Sequence, residues 1–391
     1  RNSHPYAYID LDHDADVQQL LDRFQLSHTD VPVLIVRGST VLRNPDNREI
    51  AQKLGFNKPI DTSELRDLVI IGAGPAGLAA AVYAASEGLN VLVIESKAPG
   101  GQSGASSKIE NYLGFPTGIS GQALAGRAHA QAQKFGAQIV IAQSVQRLDC
   151  DQKPYAVLLD DGLRVPARSI IIASGAEYRK PALDMLSEFE GMGVYYAATH
   201  MEAQLCPNEE VIVVGGGNSA GQAAVFLAES ARCVHVVVRS AGLADSMSRY
   251  LIHRIEEHPR IHLHVHTELT AMAGSSHLEQ VTWRNNISGE IEQKSVRHVF
   301  LMTGADPSNR WLEGCLVLDD KGFIKTGSDI TAEQLAAARW PHSRSPFLLE
   351  TSLPGVFAVG DVRSGNVKRV ASAVGEGAIA VSMVHRVISE G

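Results

Sequence analysis

Cysteine is scarce and scattered. The four in this chain of 391 residues, Cys150, Cys206, Cys233 and Cys315, fall at neither disulfide-framework nor metal-ligand spacing, and no two of them form a Cys-x-x-Cys. That argues against a stapled or metal-clipped scaffold and fits a reducing compartment, so a cytoplasmic protein is expected. Long apolar runs are also missing: no stretch reaches the roughly 18 residues a membrane-spanning helix needs, and the most apolar region, residues 69–83, is broken by turn residues. Nor is there a basic surplus. With 35 Lys and Arg against 43 Asp and Glu the formal net charge is -8, whereas proteins that grip a phosphate backbone carry a basic face. Nucleic acid and membrane are therefore excluded as expected partners. The chain opens on Arg1, and Arg-Asn-Ser-His-Pro is no signal peptide, so the sequence is read as a fragment or a processed form.

Glycine, by contrast, is plentiful, with 35 residues, and much of it is ordered. VIIGAGPAGLAAAVYAASEGLNVLVIES (69–96) and VIVVGGGNSAGQAAVFLAESARCVHVVVRS (211–240) share one plan. Each runs from a β-branched strand through a glycine turn and an Ala-rich helix to a second apolar strand. Two such βαβ units predict two dinucleotide sites of similar geometry, because one ligand has no use for both.

In the first unit Gly72, Gly74 and Gly77 form a G-x-G-x-x-G between strand and helix, with Pro75 and Ala76 at the helix start. Gly72 allows the tight turn, Gly74 lets a pyrophosphate approach the backbone, Gly77 lets helix and strand pack closely, and the helix N-terminus offers free N–H groups to phosphate. Glu95 closes the second strand, where a carboxylate can accept hydrogen bonds from a ribose diol. In the second unit Gly215, Gly217 and Ala220 repeat the pattern around Asn218 and Ser219, but Arg239 and Ser240 stand at the strand end in place of an acid. A guanidinium there pairs with a 2′-phosphate that a carboxylate would repel, so NADPH is expected over NADH. Arg249 is a candidate second phosphate contact, its bland alternative being a solvated helix face.

The matching stretches GAGPAG, GGQ (100–102), IENYLGFP (109–116), IIASGA (171–176), GGGNSA (215–220), GDVR (360–363) and KRVASA (368–373) together resemble the low-molecular-weight thioredoxin reductases from about Leu68 onward. The resemblance implies an α/β fold of two Rossmann-like, three-layer nucleotide-binding domains, with FAD and NADPH as cofactors and a homodimer as the assembly. It puts Gly101, Gln102, Asn111 and Gly175 beside FAD. It also puts Gly360 and Asp361 at the ribityl or phosphate end, and Arg369, Val370 and Ala371 near the isoalloxazine. The expected layout is an FAD-binding domain in two parts, 67–180 and 305–391, with an NADP-binding domain, 181–304, inserted between them.

Residues 1–60 differ. YAYIDLD (6–12) reads as a strand, 16–24 as an amphipathic helix, 31–36 and 39–45 as strands and 47–56 as a helix. This order, with Val31-Pro32 leading a strand, resembles the back part of a thioredoxin or glutaredoxin fold whose first strand and helix are absent. Such a module is a candidate electron acceptor, yet no cysteine precedes Cys150.

One departure from the family matters most. Thioredoxin reductases carry a redox Cys-x-x-Cys in a segment like GVxxCATC, whereas this chain reads GVYYAATH (193–200), with Ala197 and His200 in the two cysteine positions. Alanine can neither attack a disulfide nor resolve a mixed one. His200 is the candidate proton donor to a reduced acceptor, against the plainer reading of a polar residue lining a cleft. HLHVH, with His262, His264 and His266 alternating and His258 close by, is read as a solvent-facing strand, with no metal expected. Three functional classes follow. The first is an NADPH-flavin reductase with a non-disulfide acceptor such as ferredoxin or a quinone. The second is a thioredoxin or related disulfide reductase using cysteines outside the usual site or in a part of the chain upstream of Arg1, and the third is a nucleotide-sensing regulator.

Overall fold

The computed structural model describes residues 6–390 except 12–13, 15–16, 107–108, 110, 197, 199 and 313. The chain forms two compact units. One comprises residues 1–101, 124–175 and 309–391, the other residues 102–123 and 176–308.

The first unit is built on a sheet whose parallel core runs Gln138–Val140, Val91–Ile94, Arg66–Ile71, Arg164–Ile172, with Val356–Ala358 added parallel to Arg164–Ile172. Tyr155–Leu159 and Val145–Asp149 extend it antiparallel. Strand Val91–Ile94 is buried along its whole length, as is Leu68–Ile71, which is why these segments read as unbroken Val, Ile and Leu rather than alternating. Helices Pro75–Ser86 and Val370–Glu390 pack against each other on one face through small residues, Ala76, Ala80, Ala373 and Ala380 among them. A methyl group on Gly377 would run into the Ala76 carbonyl oxygen, so the helices touch backbone to backbone at that point.

The N-terminal segment belongs to this unit and supplies helix Val17–Phe24, the hairpin Val33–Val36 with Thr40–Arg43, and helix Asn47–Leu54. Asp46 caps the last helix by accepting from Glu49 N at 2.7 Å, and Gly55 ends it in the left-handed region at φ 77°. The Val31-Pro32 peptide is cis. Residues 6–11 correct one expectation: they form no strand, and Tyr6 and Tyr8 are 82% and 77% exposed. Their alternation is that of a strand, but no sheet edge receives it, because the hairpin stays two-stranded. The segment is held by Asn57, which donates to Ile141 O and accepts from Ile141 N, both at 2.8 Å, and by Arg48 paired with Asp160.

The second unit repeats the design. Its parallel sheet runs Val194–Tyr195, His298–Leu301, Glu210–Val214, Cys233–Val237, Ile261–His264. Helices Asn218–Leu227 and Arg249–Glu257 pack on it, and an antiparallel sheet, Thr267–Ala273, Gln280–Asn285 and Ile291–Lys294, completes the unit. The two passages of chain at its borders, Ala176–Tyr178 and Ala305–Pro307, pair antiparallel.

Two further expectations are corrected. Cys150 and Cys315 form a disulfide across 165 residues, so the cysteine spacing does not argue for a reducing compartment. Local spacing is silent because the pair meets only once the chain returns from the inserted unit. The HLHVH strand ends at His264, and His266 has turned to φ 52°, so three imidazoles do not share a strand face. His264 instead lies half-buried against Trp283, with its Nε2 3.0 Å from His235 Nδ1.

Candidate cofactor sites

The first glycine turn follows from one steric fact. Gly72 has φ 103°, and a Cβ there would collide with the Ala173 carbonyl oxygen, because Ala173 N donates to Ile71 O at 2.8 Å and draws the two strand ends together. A Cβ on Gly77 would strike the Gly72 carbonyl oxygen. Gly74 caps the helix and Pro75 occupies its first turn. Leu78 N is satisfied by Gly74 O at 2.9 Å, which leaves the N–H groups of Ala76 and Gly77 without an intrahelical acceptor at the positive end of the helix. Gly101 comes so close that its Cβ would sit 3.1 Å from Gly74 Cα. Beside Ala173, the buried Ser174 hydroxyl has no hydrogen-bond partner among the described residues. Glycine-walled space, unclaimed N–H donors and an orphaned hydroxyl fit a dinucleotide pyrophosphate.

Glu95, at the end of the neighbouring strand, is 7% exposed. Its Oε2 accepts from Ala73 N at 2.7 Å and its Oε1 from Lys97 N at 2.8 Å. Each oxygen keeps a second lone pair for a hydroxyl donor.

The Gly360–Val362 turn reaches the same place from the far end of the chain. Gly360, at φ 74°, has its Cβ direction 3.0 Å from Ala76 Cβ, so it too must be glycine. Burial raises the pKa of the adjacent Asp361, with Lys368 opposing and Glu376 adding to the rise. Sequence reasoning missed Glu376. Its carboxylate accepts from Gly360 N at 2.7 Å, Arg363 Nη2 at 2.6 Å and Asn366 Nδ2 at 2.9 Å, and so sets the turn. Arg369 and Val370 stand half-buried at the start of helix Val370–Glu390, and Ala371 is exposed. Gly175, at φ 67°, ends the first unit's middle segment. Gln102 and Asn111 fall in the second unit, where Gln102 Nε2 donates to Ala176 O and Asn111 is exposed.

The second turn has the same construction. A Cβ on Gly215, at φ 139°, would collide with the Met302 carbonyl oxygen, and Met302 N donates to Val214 O at 2.7 Å. Gly217 caps helix Asn218–Leu227, and Gly221 N returns to Gly217 O at 3.1 Å, which leaves Ser219 and Ala220 N–H unclaimed within the helix. Asn218 Oδ1 accepts from Ser248 N at 2.8 Å, and Ser246 Oγ donates to Gly216 O at 2.9 Å, so the 240–248 loop is tied over the turn. The Ser248 hydroxyl is buried and has no hydrogen-bond partner among the described residues. Arg239, Ser240 and Arg249 are exposed, and neither arginine forms an ion pair among the described residues. Arg249 opens its helix, where the macrodipole repels a cation. Two unneutralised guanidiniums in such a setting favour an anionic ligand.

His200 begins the short helix His200–Ala203, but its side chain, like Ala197, lies outside the described residues. Cys206 is fully buried, and burial, with Glu209 and Glu202 nearby, pushes its thiol up to about 11, so it is no thiolate at neutral pH. Among the described residues no group of three or more His, Cys, Asp or Glu is arranged to hold a metal ion, and no helix is long and apolar enough to cross a membrane.

Two open α/β sheets, each with a glycine turn where strand order reverses, define a protein that binds two dinucleotides. The profile of the pyridine nucleotide-disulphide oxidoreductase family matches residues 66–377, and the chain belongs to that family. It is 31% identical over 318 residues to a thioredoxin reductase of Ureaplasma parvum serovar 3, covering 81% of this chain and 95% of that one. It is 30% identical over 366 residues to the NADPH-dependent thioredoxin reductase 3 of Arabidopsis thaliana, covering 91% of this chain and 65% of that one. The crystal structure of Lactococcus lactis thioredoxin reductase superposes with a TM-score of 0.73 at 28% identity, over 83% of this chain and all of that one. The chain is an NAD(P)H-dependent FAD oxidoreductase of the thioredoxin reductase type, with FAD and NADPH as its cofactors.

Proposed function

We propose that the Gly72 turn, Glu95 and the Gly360–Asp361 turn hold FAD, that the Gly215 turn with Arg239, Ser240 and Arg249 holds NADPH, and that electrons leave to an acceptor other than a disulfide. When bound, NADPH supplies a hydride and FAD takes it up and passes the electrons on. The chain's own residues bind and orient. Helix N-termini neutralise pyrophosphate charge, Glu95 fixes a ribose, and Arg239 and Arg249 select the 2′-phosphate. His200 is the candidate proton donor. The observation that carries the choice of acceptor is the sequence GVYYAATH, which has no Cys-x-x-Cys where thioredoxin reductases resemble GVxxCATC. Ferredoxin and quinones are the acceptor classes this leaves.

The N-terminal segment is fastened to the first unit by Asn57 and Arg48, which supports a docking or assembly role for it. Among the described residues, disulfide reduction through other cysteines has Cys150 with Cys315 as a candidate. That pair adjoins the edge strand Val145–Asp149, three places along the sheet from Arg66–Ile71 and its turn. We read the protein as a cytoplasmic homodimer on its likeness to the family.

Anaerobic stopped-flow mixing with NADPH and with NADH, followed by a panel of oxidised ferredoxin, quinone and thioredoxin, tests the reading. Flavin bleaching by NADPH and reoxidation by ferredoxin or quinone is expected. Reoxidation by thioredoxin alone overturns the acceptor, and flavin that stays oxidised under NADPH favours the nucleotide-sensing alternative.

A further inference from the structure

We propose that Cys150 and Cys315 form a thiol-redox site whose state controls how firmly the first unit holds its flavin. The inference rests on the reading of the Gly360–Asp361 turn as part of the flavin site. The disulfide joins a residue that precedes the inserted 176–308 segment, with strands Tyr155–Leu159 and Arg164–Ile172 in between, to one that follows it, so it ties the first unit together across its own interruption. From Cys315 a short hydrogen-bonded path leads to the turn. Lys325 N donates to Val317 O at 3.1 Å, which folds the 315–325 loop on itself. Ser364 Oγ donates to Asp319 Oδ2 at 2.7 Å, Ile324 N donates to Val362 O at 3.0 Å, and Ser364 N donates to Ile324 O at 2.8 Å. The loop anchored by the disulfide is therefore laid directly on the residues that follow Asp361.

Both cysteines are only partly buried, so a small dithiol can reach them. Its thiolate attacks one sulfur to give a mixed disulfide, and its second thiol resolves this. Cys150 and Cys315 each gain an electron and a proton, and the dithiol becomes a cyclic disulfide. The other two cysteines, Cys206 and Cys233, lie in the second unit and cannot substitute. Without the cross-link the 315–325 loop keeps its hydrogen bonds and the packing of Leu316, Leu318 and Ile324 against the core, but it loses its covalent tie to the edge strand, and the turn loses a fixed support.

The test uses the FAD-loaded full chain, equilibrated with graded dithiothreitol, with maleimide mass labelling to count thiols at Cys150 and Cys315 and flavin fluorescence to read FAD release. Reduction of the pair is expected to weaken FAD binding about tenfold, and a Cys150→Ser/Cys315→Ser variant should show the weaker affinity with or without reductant. Reduced, doubly labelled protein with unchanged FAD affinity overturns the proposal, as does labelling of both cysteines in the absence of reductant. Asp361→Ala separates the two failures. If it leaves FAD affinity intact, the reading of the turn is wrong; if it releases FAD while reduction does not, the redox site is wrong.

Discussion

The two glycine turns are built alike and finished differently. In both, a glycine in the positive-φ region faces the carbonyl of the strand across the switch point, Gly72 against Ala173 and Gly215 against Met302, and a second glycine caps the helix. The third position already diverges. Gly77 leaves no room for a methyl group, whereas Ala220 sits fully buried with one. At the end of the next strand the contrast is one of charge: Glu95 is buried and bonded to two backbone N–H groups, and Arg239 is exposed and forms no ion pair among the described residues. On the reading proposed above, the shared backbone cradle would suit what the two ligands have in common, a pyrophosphate, while the strand-end side chain would distinguish them.

Substitutions at the paired glycines put the sharpest strain on this comparison. Gly72→Val should yield colourless protein, with FAD binding weakened on the order of 100-fold or more, since backbone strain and a carbonyl clash act together. Gly215→Val should keep the flavin and lose its reduction by NADPH. Absorbance of the purified proteins and anaerobic titration decide, and loss of flavin from both variants would break the assignment of separate ligands. Next in size, Arg239→Glu should cut kcat/KM for NADPH by roughly 30- to 100-fold while leaving that for NADH nearly unchanged, the range expected for a charge-assisted hydrogen bond replaced by repulsion. An equal loss with both nucleotides would remove the guanidinium from phosphate selection.

Glu376→Gln should weaken FAD binding about tenfold, because the Arg363 guanidinium loses its anionic partner and the Gly360 turn its anchor; isothermal titration of apoprotein measures it, and Glu376→Asp should restore part of the loss. The smallest effect concerns the second unit alone. Burial, with His235 beside it, pushes His264 down to about 4 from 6.5. The unfolded chain therefore binds this proton at higher pH than the native state, and its stabilising contribution is complete above 6.5 and lost as pH falls toward 4. Melting temperatures across that range should fall less steeply for His264→Asn, and identical slopes would show that the residue does not titrate differently on folding.

The glycine turns were legible because their residues answer local demands: a positive φ, an approach without a Cβ, a helix start. Glu95 and Arg239 were legible because a strand end is a countable place. Glu376 was not, since Gly360, Arg363 and Asn366 meet it only after the turn and helix Val370–Glu390 are set side by side. An acid between Gly375 and Gly377, in a helix start rich in small residues, was the one available sign. The Cys150–Cys315 bond was hidden for a topological reason, its partners being separated by the inserted segment. Residues 6–11 show the opposite failure, in which alternation was read as a strand although no strand among the described residues pairs with them. The histidine pattern misled by half: His262 and His264 do share a strand, but the partner that matters, His235, comes from the strand alongside.

The backbone contact between Gly377 and Ala76 has a temporal side. During synthesis the residues that finish the first phosphate cradle leave the ribosome only after all of 176–308, a segment that can settle into its own sheet as soon as it emerges. The half-made early strands must wait through that interval with their apolar face uncovered. This is the stage at which a chaperone would be most needed and at which free flavin would have nothing complete to bind.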